Sequence, residues 1–263
     1  MSIPSIGLIG FGAISRALHK DMAARGRAVR WTALMRPDST TGLPPDVTRV
    51  TDVQALIAAR PAAVVEAAGA EALRRHLPEL LAAGLAVSPA SVGALADCGF
   101  HDDMRALAAR TGGRIVLQGG ALGGLDYLAA VAPLPDARAR YTSRKPVAAW
   151  AAELAALGVD PGALAGPHVL FRGSAADAAR LYPRNLNAGL TLALALGPDR
   201  VSVRVLADPA ATGNTHEIEV TSAAGTAEFR FVNAPAPENP KTSLLTALGM
   251  AAALEPFLDR PRT

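Results

Sequence analysis

The feature that most narrows what this chain can fold into is a glycine turn close to its start. Residues Ser5 to Ile9 form a short apolar run, Gly10-Phe11-Gly12 follows, and AISRALHKDMAARG then carries Ile14, Ala17, Leu18 and Met22 in helical register, with Gly26 placed as a C-cap. A strand, a tight glycine turn and a helix are the opening of a doubly wound parallel sheet. Gly10 permits the sharp turn, and Gly12 lets backbone approach a pyrophosphate. The helix beginning at Ala13 and Ile14 offers unpaired N–H groups and the positive end of its dipole. Ser15 stands where a third glycine is usual, and a small residue suffices there. The functional reading is a dinucleotide site at Gly10, Gly12, Ala13 and Ile14. The bland alternative is a structural turn, and the strand before and helix after favour the former.

The same rhythm continues for about 118 residues. Ala28 to Met35 reads as a second strand ended by Arg36-Pro37-Asp38, and residues 52–59 read as a helix. AAVVEAAG is a strand buried on both faces, ending at Gly69, a further place where a cofactor can come close to backbone. Helices over 71–83, where Pro78 can break or kink the helix, and 93–110 alternate with strands over 85–88 and 114–117. Such alternation predicts right-handed crossovers and a parallel sheet. After QGGALGGLDYL the pattern changes: strands over 138–142, 201–207, 217–221 and 226–232 are separated by helices over 175–181 and 187–196. That predicts a second, α+β layer of mixed or antiparallel sheet. The linker NAPAPENPK precedes a last helix over 242–258 that returns to the first domain. The expected division is residues 1–118 with 240–263 as a dinucleotide-binding domain, and 119–239 as a substrate and dimerisation domain. A length of 263 residues accommodates two intimate domains.

Composition removes several function classes. Aromatic residues are only 4% of the chain, too few for a stacking platform, and 26 basic against 23 acidic residues leave a +3 balance spread without a contiguous basic stripe. No nucleic-acid partner is expected. The single Cys98 excludes an intrachain disulfide and a multi-thiolate metal site, and no metal is expected. The start lacks a basic n-region and no uncharged apolar run free of Gly and Pro reaches about 18 residues, so the expectation is a cytoplasmic protein without a membrane partner.

Three further segments carry polar chemistry. An NAD enzyme usually places an acid about twenty residues beyond the glycine turn, but the second strand ends Leu34-Met35-Arg36. Arg36 either pairs with a 2′-phosphate, which leans toward acceptance of NADP, or is a solvated surface charge. Asn214-Thr215-His216 lies between the loop DPAATGN and a strand, which makes His216 an acid–base candidate; a structural histidine is the alternative. The segments Tyr182 to Asn187 and Asn239 to Ser243 start helices, where capping competes with orienting a nicotinamide or a carboxylate.

At these residues the chain resembles the L-aspartate dehydrogenase family. The similarity runs nearly end to end through IGLIGFGAI, VVEAAG, SPASVGALAD, GGALGGLD, TSRKPVAAW, LFRGSAADAARLYPRNLNAGLTLALA, DPAATGNTHEIEV and NPKTS. The resemblance implies a Rossmann domain joined to an α/β domain that carries the substrate site and much of a homodimer interface. It implies oxidation of L-aspartate with NAD or NADP to iminoaspartate, which yields oxaloacetate and ammonia, and the reverse amination. By position it implies that the backbone amide of Ala121 and the side chain of Asn187 contact the cofactor and that His216 is catalytic. Ser15, the acid-free second strand and the variant VVEAAG and SPAS strings depart from the usual family pattern. An imidazole of ordinary pKa, about 6.5, can cycle at neutral pH. Two substrate carboxylates require cationic partners, for which Lys145, Arg144, Arg184 and Lys241 stand in family-like segments. The rival readings are another two-domain reductase of homoserine dehydrogenase or dihydrodipicolinate reductase type, and a dinucleotide-binding sensor without turnover.

Overall fold

A computed structural model of the protein describes residues 3–182 and 187–259, with backbone alone at 240 and 241. The chain divides into two compact units, Met1–Gly120 with Thr246–Thr263, and Ala121–Leu245.

The first unit alternates β1 (Ser5–Ile9), α1 (Ala13–Ala24), β2 (Arg30–Leu34), β3 (Val47–Val50), α2 (Val53–Ala58), β4 (Ala63–Glu66), α3 (Ala70–Ala82), β5 (Ala86–Pro89), α4 (Cys98–Thr111) and β6 (Arg114–Ile115). The strands pair in parallel in the order β3-β2-β1-β4-β5-β6, so the direction of winding reverses between β1 and β4. Every residue of β1, β4 and β5 is buried, as strands covered on both faces must be. Ile6, Leu8, Trp31 and Val65 of this sheet pack with Leu18 and Met22 of α1 and with Met250, Leu254 and Phe257 near the C-terminus.

The first unit departs from the expected pattern at three places. β3 went unseen because VTRV buries one residue of four and shows no apolar run. The helix expected over 93–110 is a 3₁₀ turn, Val92–Ala96, followed by α4, whose start is fixed by the Asp97 carboxylate accepting from the Phe100 N–H at 3.2 Å. α3 runs unbroken past Pro78.

The second unit contains α5 (Leu125–Val131), β7 (Arg138–Pro146), α6 (Ala151–Ala156), β8 (His168–Ser174), α7 (Ala175–Leu181), α8 (Asn187–Leu196), β9 (Val201–Asp208), β10 (Asn214–Ser222), β11 (Gly225–Asn233), β12 (Pro235–Ala236) and β13 (Asn239–Ser243); α9 (Leu244–Leu258) follows. Its five-stranded sheet has the order β11-β10-β7-β9-β8, parallel only between β7 and β9. Tyr141, Val203, Val205 and Ile218 form its inner face and pack on Trp150, Leu154, Ala178 and Leu192. Gly189 lets α8 lie against the sheet, since a Cβ there would stand 2.8 Å from the Tyr141 ring. β8 escaped the sequence reading because its residues are mostly exposed and its register is broken between Val169 and Phe171.

The expected return at residue 240 is also corrected. NPKTS forms β13, paired with β12, and the Leu244 N–H donates to the Ala234 carbonyl at 3.0 Å, which keeps the chain in the second unit until Leu245. Beyond it α9 fills the core of the first unit, and Arg27 forms ion pairs with Glu255 and Asp259. No helix among the described residues is long and apolar enough to cross a membrane.

Candidate active site

In the first unit the glycine turn follows β1. Gly10 has φ +80°, a conformation that favours glycine, and a Cβ there would stand 2.9 Å from the Ala68 Cβ. The Gly10 N–H donates to the Leu34 carbonyl at 3.0 Å. The buried Ser15 hydroxyl donates to the Gly10 carbonyl at 2.9 Å, so the residue in the third glycine's place also braces the turn. Gly12 caps α1 without a side-chain hydrogen bond, and the first turn carries no acid. A Cβ on Gly12 would meet nothing within 4 Å. The first N–H groups of α1, at Ala13 and Ile14, have no intrahelical acceptor by helix geometry; with a positive helix end and open space above Gly12 they fit a dinucleotide pyrophosphate.

Around this turn, Gly69 caps α3 with φ +125°, and Glu66 is fully buried at the end of β4. The Ala68 and Gly69 N–H groups both donate to the Glu66 carboxylate at 2.7 Å, and the Ser91 N–H and hydroxyl each donate to it at 3.1 Å. Arg36 is exposed and lies 3.8 Å from Asp38. Arg49 holds this loop by donating to the carbonyls of Arg36 and Ser39 at 3.1 and 2.8 Å.

The second unit holds a different kind of site. His216, expected at a loop–strand junction, lies inside β10, where it pairs with Ser143. Directly opposed residues share a face and alternate residues repeat it, so His216 shares the inner face with Tyr141, Ser143 and Lys145. The Tyr141 hydroxyl and His216 Nδ1 are 2.7 Å apart, and their rings stack with centroids 5.9 Å apart. Burial pushes the Tyr141 phenol pKa up, so the phenol stays protonated. Burial, helped by the charge on Lys145, lowers the His216 pKa to about 4. Burial likewise lowers Lys145 to about 8, against the pull of Glu153, and its ammonium sits 5.0 Å from the Trp150 ring centre. Nδ1 is engaged by Tyr141, which leaves Nε2 as the nitrogen to meet a ligand. The ordinary imidazole pKa expected from sequence is therefore corrected: burial holds His216 neutral.

The remaining candidates are placed as follows. Arg144 faces the other side of the sheet, bound to Asp208 at 2.6 Å and Glu217 at 3.1 Å, so its charge is already compensated. The Ala121 carbonyl accepts from Asn233 Nδ2 at 2.7 Å. Asn187 begins α8, and its carbonyl accepts from the Thr191 hydroxyl. Arg184 lies outside the described residues, and Lys241 is placed in β13 by its backbone alone. Among the described residues no group of three or more His, Cys, Asp or Glu side chains is arranged to hold a metal. Sequence reasoning missed Tyr141 and Glu66. The alternation of Tyr141, Ser143 and Lys145 signalled a shared face, but the partner strand's register was needed to bring His216 to it.

Comparison with known proteins gives two family matches. Residues 126–256 match the family described as aspartate dehydrogenase, C-terminal, and residues 10–118 match the family described as homoserine dehydrogenase, NAD binding domain. The chain is 44% identical over 261 residues to L-aspartate dehydrogenase 2 of Bordetella pertussis, covering 97% of each protein. It is 37% identical to L-aspartate dehydrogenase of Cupriavidus necator, covering 95% of this chain and 96% of that one. The crystal structure of aspartate dehydrogenase from Thermotoga maritima superposes with a TM-score of 0.78 at 27% identity, covering 99% of both chains.

Proposed function

The chain belongs to the L-aspartate dehydrogenase family, and from that premise we propose that it catalyses the reversible, NAD(P)-dependent oxidative deamination of L-aspartate. The product is iminoaspartate, which water converts to oxaloacetate and ammonia. The observation that carries this reading is the buried His216–Tyr141 pair beside Lys145, an acid–base group and a cation on one sheet face.

The nicotinamide, when bound, supplies a hydride acceptor at its C4 for the substrate Cα–H. In this reading Gly10 and Gly12 shape the pyrophosphate turn, and the N–H groups of Ala13 and Ile14 meet the phosphates. Gly69, the Ala121 amide and Asn187 contact the rest of the cofactor, and Arg36 meets the 2′-phosphate when NADP is used. Lys145 binds one substrate carboxylate, with Arg184 and Lys241 serving the other. His216 Nε2 accepts a proton from the substrate ammonium or from the water that attacks the imine.

Substrate charge and proton transfer are coupled in this arrangement. Burial, with Lys145, holds the His216 pKa near 4, so the free site disfavours a second cation. A dicarboxylate brings two negative charges to the same space, which raises the pKa of both His216 and Lys145. The base therefore gains proton affinity when its substrate is present. We further propose a homodimer built largely by the second unit, and a place in the cytoplasm.

The test is an assay of the purified protein with oxaloacetate, ammonium and NADH or NADPH, followed by nicotinamide absorbance, with homoserine and dihydrodipicolinate as controls. Cofactor oxidation that requires both ammonium and oxaloacetate is the expected result. Dinucleotide binding without turnover on any substrate would instead favour a sensor.

A further inference from the structure

Glu66 is a fully buried carboxylate at the C-terminal end of β4. Burial pushes its pKa up, yet its partners from Ala68, Gly69 and Ser91 are all donors, the environment of an ionised group. An apolar side chain of similar size would fill the same space without the desolvation cost, so stability alone gives weak reason for a charge here.

What the carboxylate does is join loops. Its Ala68 and Gly69 bonds set the segment between β4 and α3, where Gly69 has φ +125°. Its two Ser91 bonds set the segment after β5, where the Ala90 N–H also donates to the Glu66 carbonyl at 2.8 Å. Ala68 in turn packs against Gly10, leaving no room for a Cβ there, and the Ala67 N–H donates to the Ile9 carbonyl at 3.1 Å. Three loops beyond β1, β4 and β5 are thus held in one arrangement, at the switch point where doubly wound sheets bind ligands. In such a sheet β1 to β3 receive the adenosine half of a dinucleotide, and β4 to β6 receive the other half.

We propose that Glu66 is a positioning residue for the nicotinamide half of the cofactor, acting through the loops at residues 67–69 and 90–91 and leaving the adenosine half to the glycine turn. This rests on the dinucleotide reading above.

The test compares NADH and ADP as probes, titrated by calorimetry against the whole protein and the Glu66→Gln variant. The substitution would turn an amide N–H₂ toward N–H donors and release at least one loop. NADH affinity should fall roughly tenfold to a hundredfold, as for a misplaced binding group, while ADP affinity changes by less than about threefold. Ser91→Ala, which removes one donor and keeps the carboxylate, should show the same selectivity at smaller size, and it carries the test alone if Glu66→Gln does not fold. Equal weakening of both probes, or no weakening of either, in the variant tested would overturn the proposal and reduce Glu66 to a structural anchor. Failure of the unaltered protein to bind any of NADH, NADPH and ADP would overturn the cofactor reading itself.

Discussion

The glycine turn of the first unit and the His216 cluster of the second handle charge in opposite ways. The turn offers an anion mainly backbone: N–H groups and a helix end without an acid in its first turn face open space above Gly12, and the Arg16 guanidinium donates to the Phe11 carbonyl at 3.3 Å. The cluster offers ionisable side chains whose charged forms are suppressed by burial, His216 to a pKa of about 4 and Lys145 to about 8. A backbone site is permanently set, whereas a buried side-chain site changes its proton affinity when a charged ligand arrives. Cofactor binding suits the former and proton transfer suits the latter.

The contrast is broken most strongly by removing the imidazole. His216→Ala should lower aspartate oxidation by roughly 10² or more, with dinucleotide affinity within about twofold of normal. Steady-state rates beside a cofactor titration check this, and undiminished turnover would remove His216 from catalysis.

The converse change is Gly10→Ala, which combines a left-handed φ with a Cβ 2.9 Å from Ala68. It should cost about 1–3 kcal/mol of stability and roughly tenfold in dinucleotide affinity, read by thermal unfolding and titration. A variant as stable and as tight-binding as the parent would show that the turn tolerates a side chain.

Lys145 sharpens the comparison through pH. It is a cation below a pKa of about 8 and neutral above it, so kcat/KM for aspartate should fall as pH rises through about 8. Lys145→Arg keeps the charge and should move that decline to higher pH. A decline left at the same pH would assign it to another group.

The smallest effect is expected at Arg36, which is exposed and beside Asp38. Arg36→Ala should weaken NADP binding several-fold more than NAD binding, about 1 kcal/mol of discrimination at an exposed charge. Equal affinities before and after would leave Arg36 a surface residue.

The two regions also differ in how far they can be read from sequence. Gly10, Gly12 and the helix from Ala13 are consecutive, and backbone conformation there depends on near neighbours, so the turn is visible in the string itself. The string requires only that residue 15 be small, whereas the bond of the Ser15 hydroxyl to the Gly10 carbonyl appears only in three dimensions. β3 and β8 were missed because neither buries enough apolar surface to show a pattern. Lys145 and Arg144 looked equivalent as neighbouring cations. Strand alternation sends one to the buried face near His216 and the other to Asp208 and Glu217.

Local period, glycine placement and the order of elements are properties of the chain alone. They determined the parallel sheet, the glycine turn after its first strand and a second layer of different build. The tertiary structure decided what depends on distant residues meeting: the β7–β10 register that sets Tyr141 beside His216, the Glu66 link to Ser91, and the return of the chain after Leu245 rather than at residue 240. It also decided ionisation. A side chain's pKa is fixed by how much water it loses and which charges surround it, and neither is written at its own position.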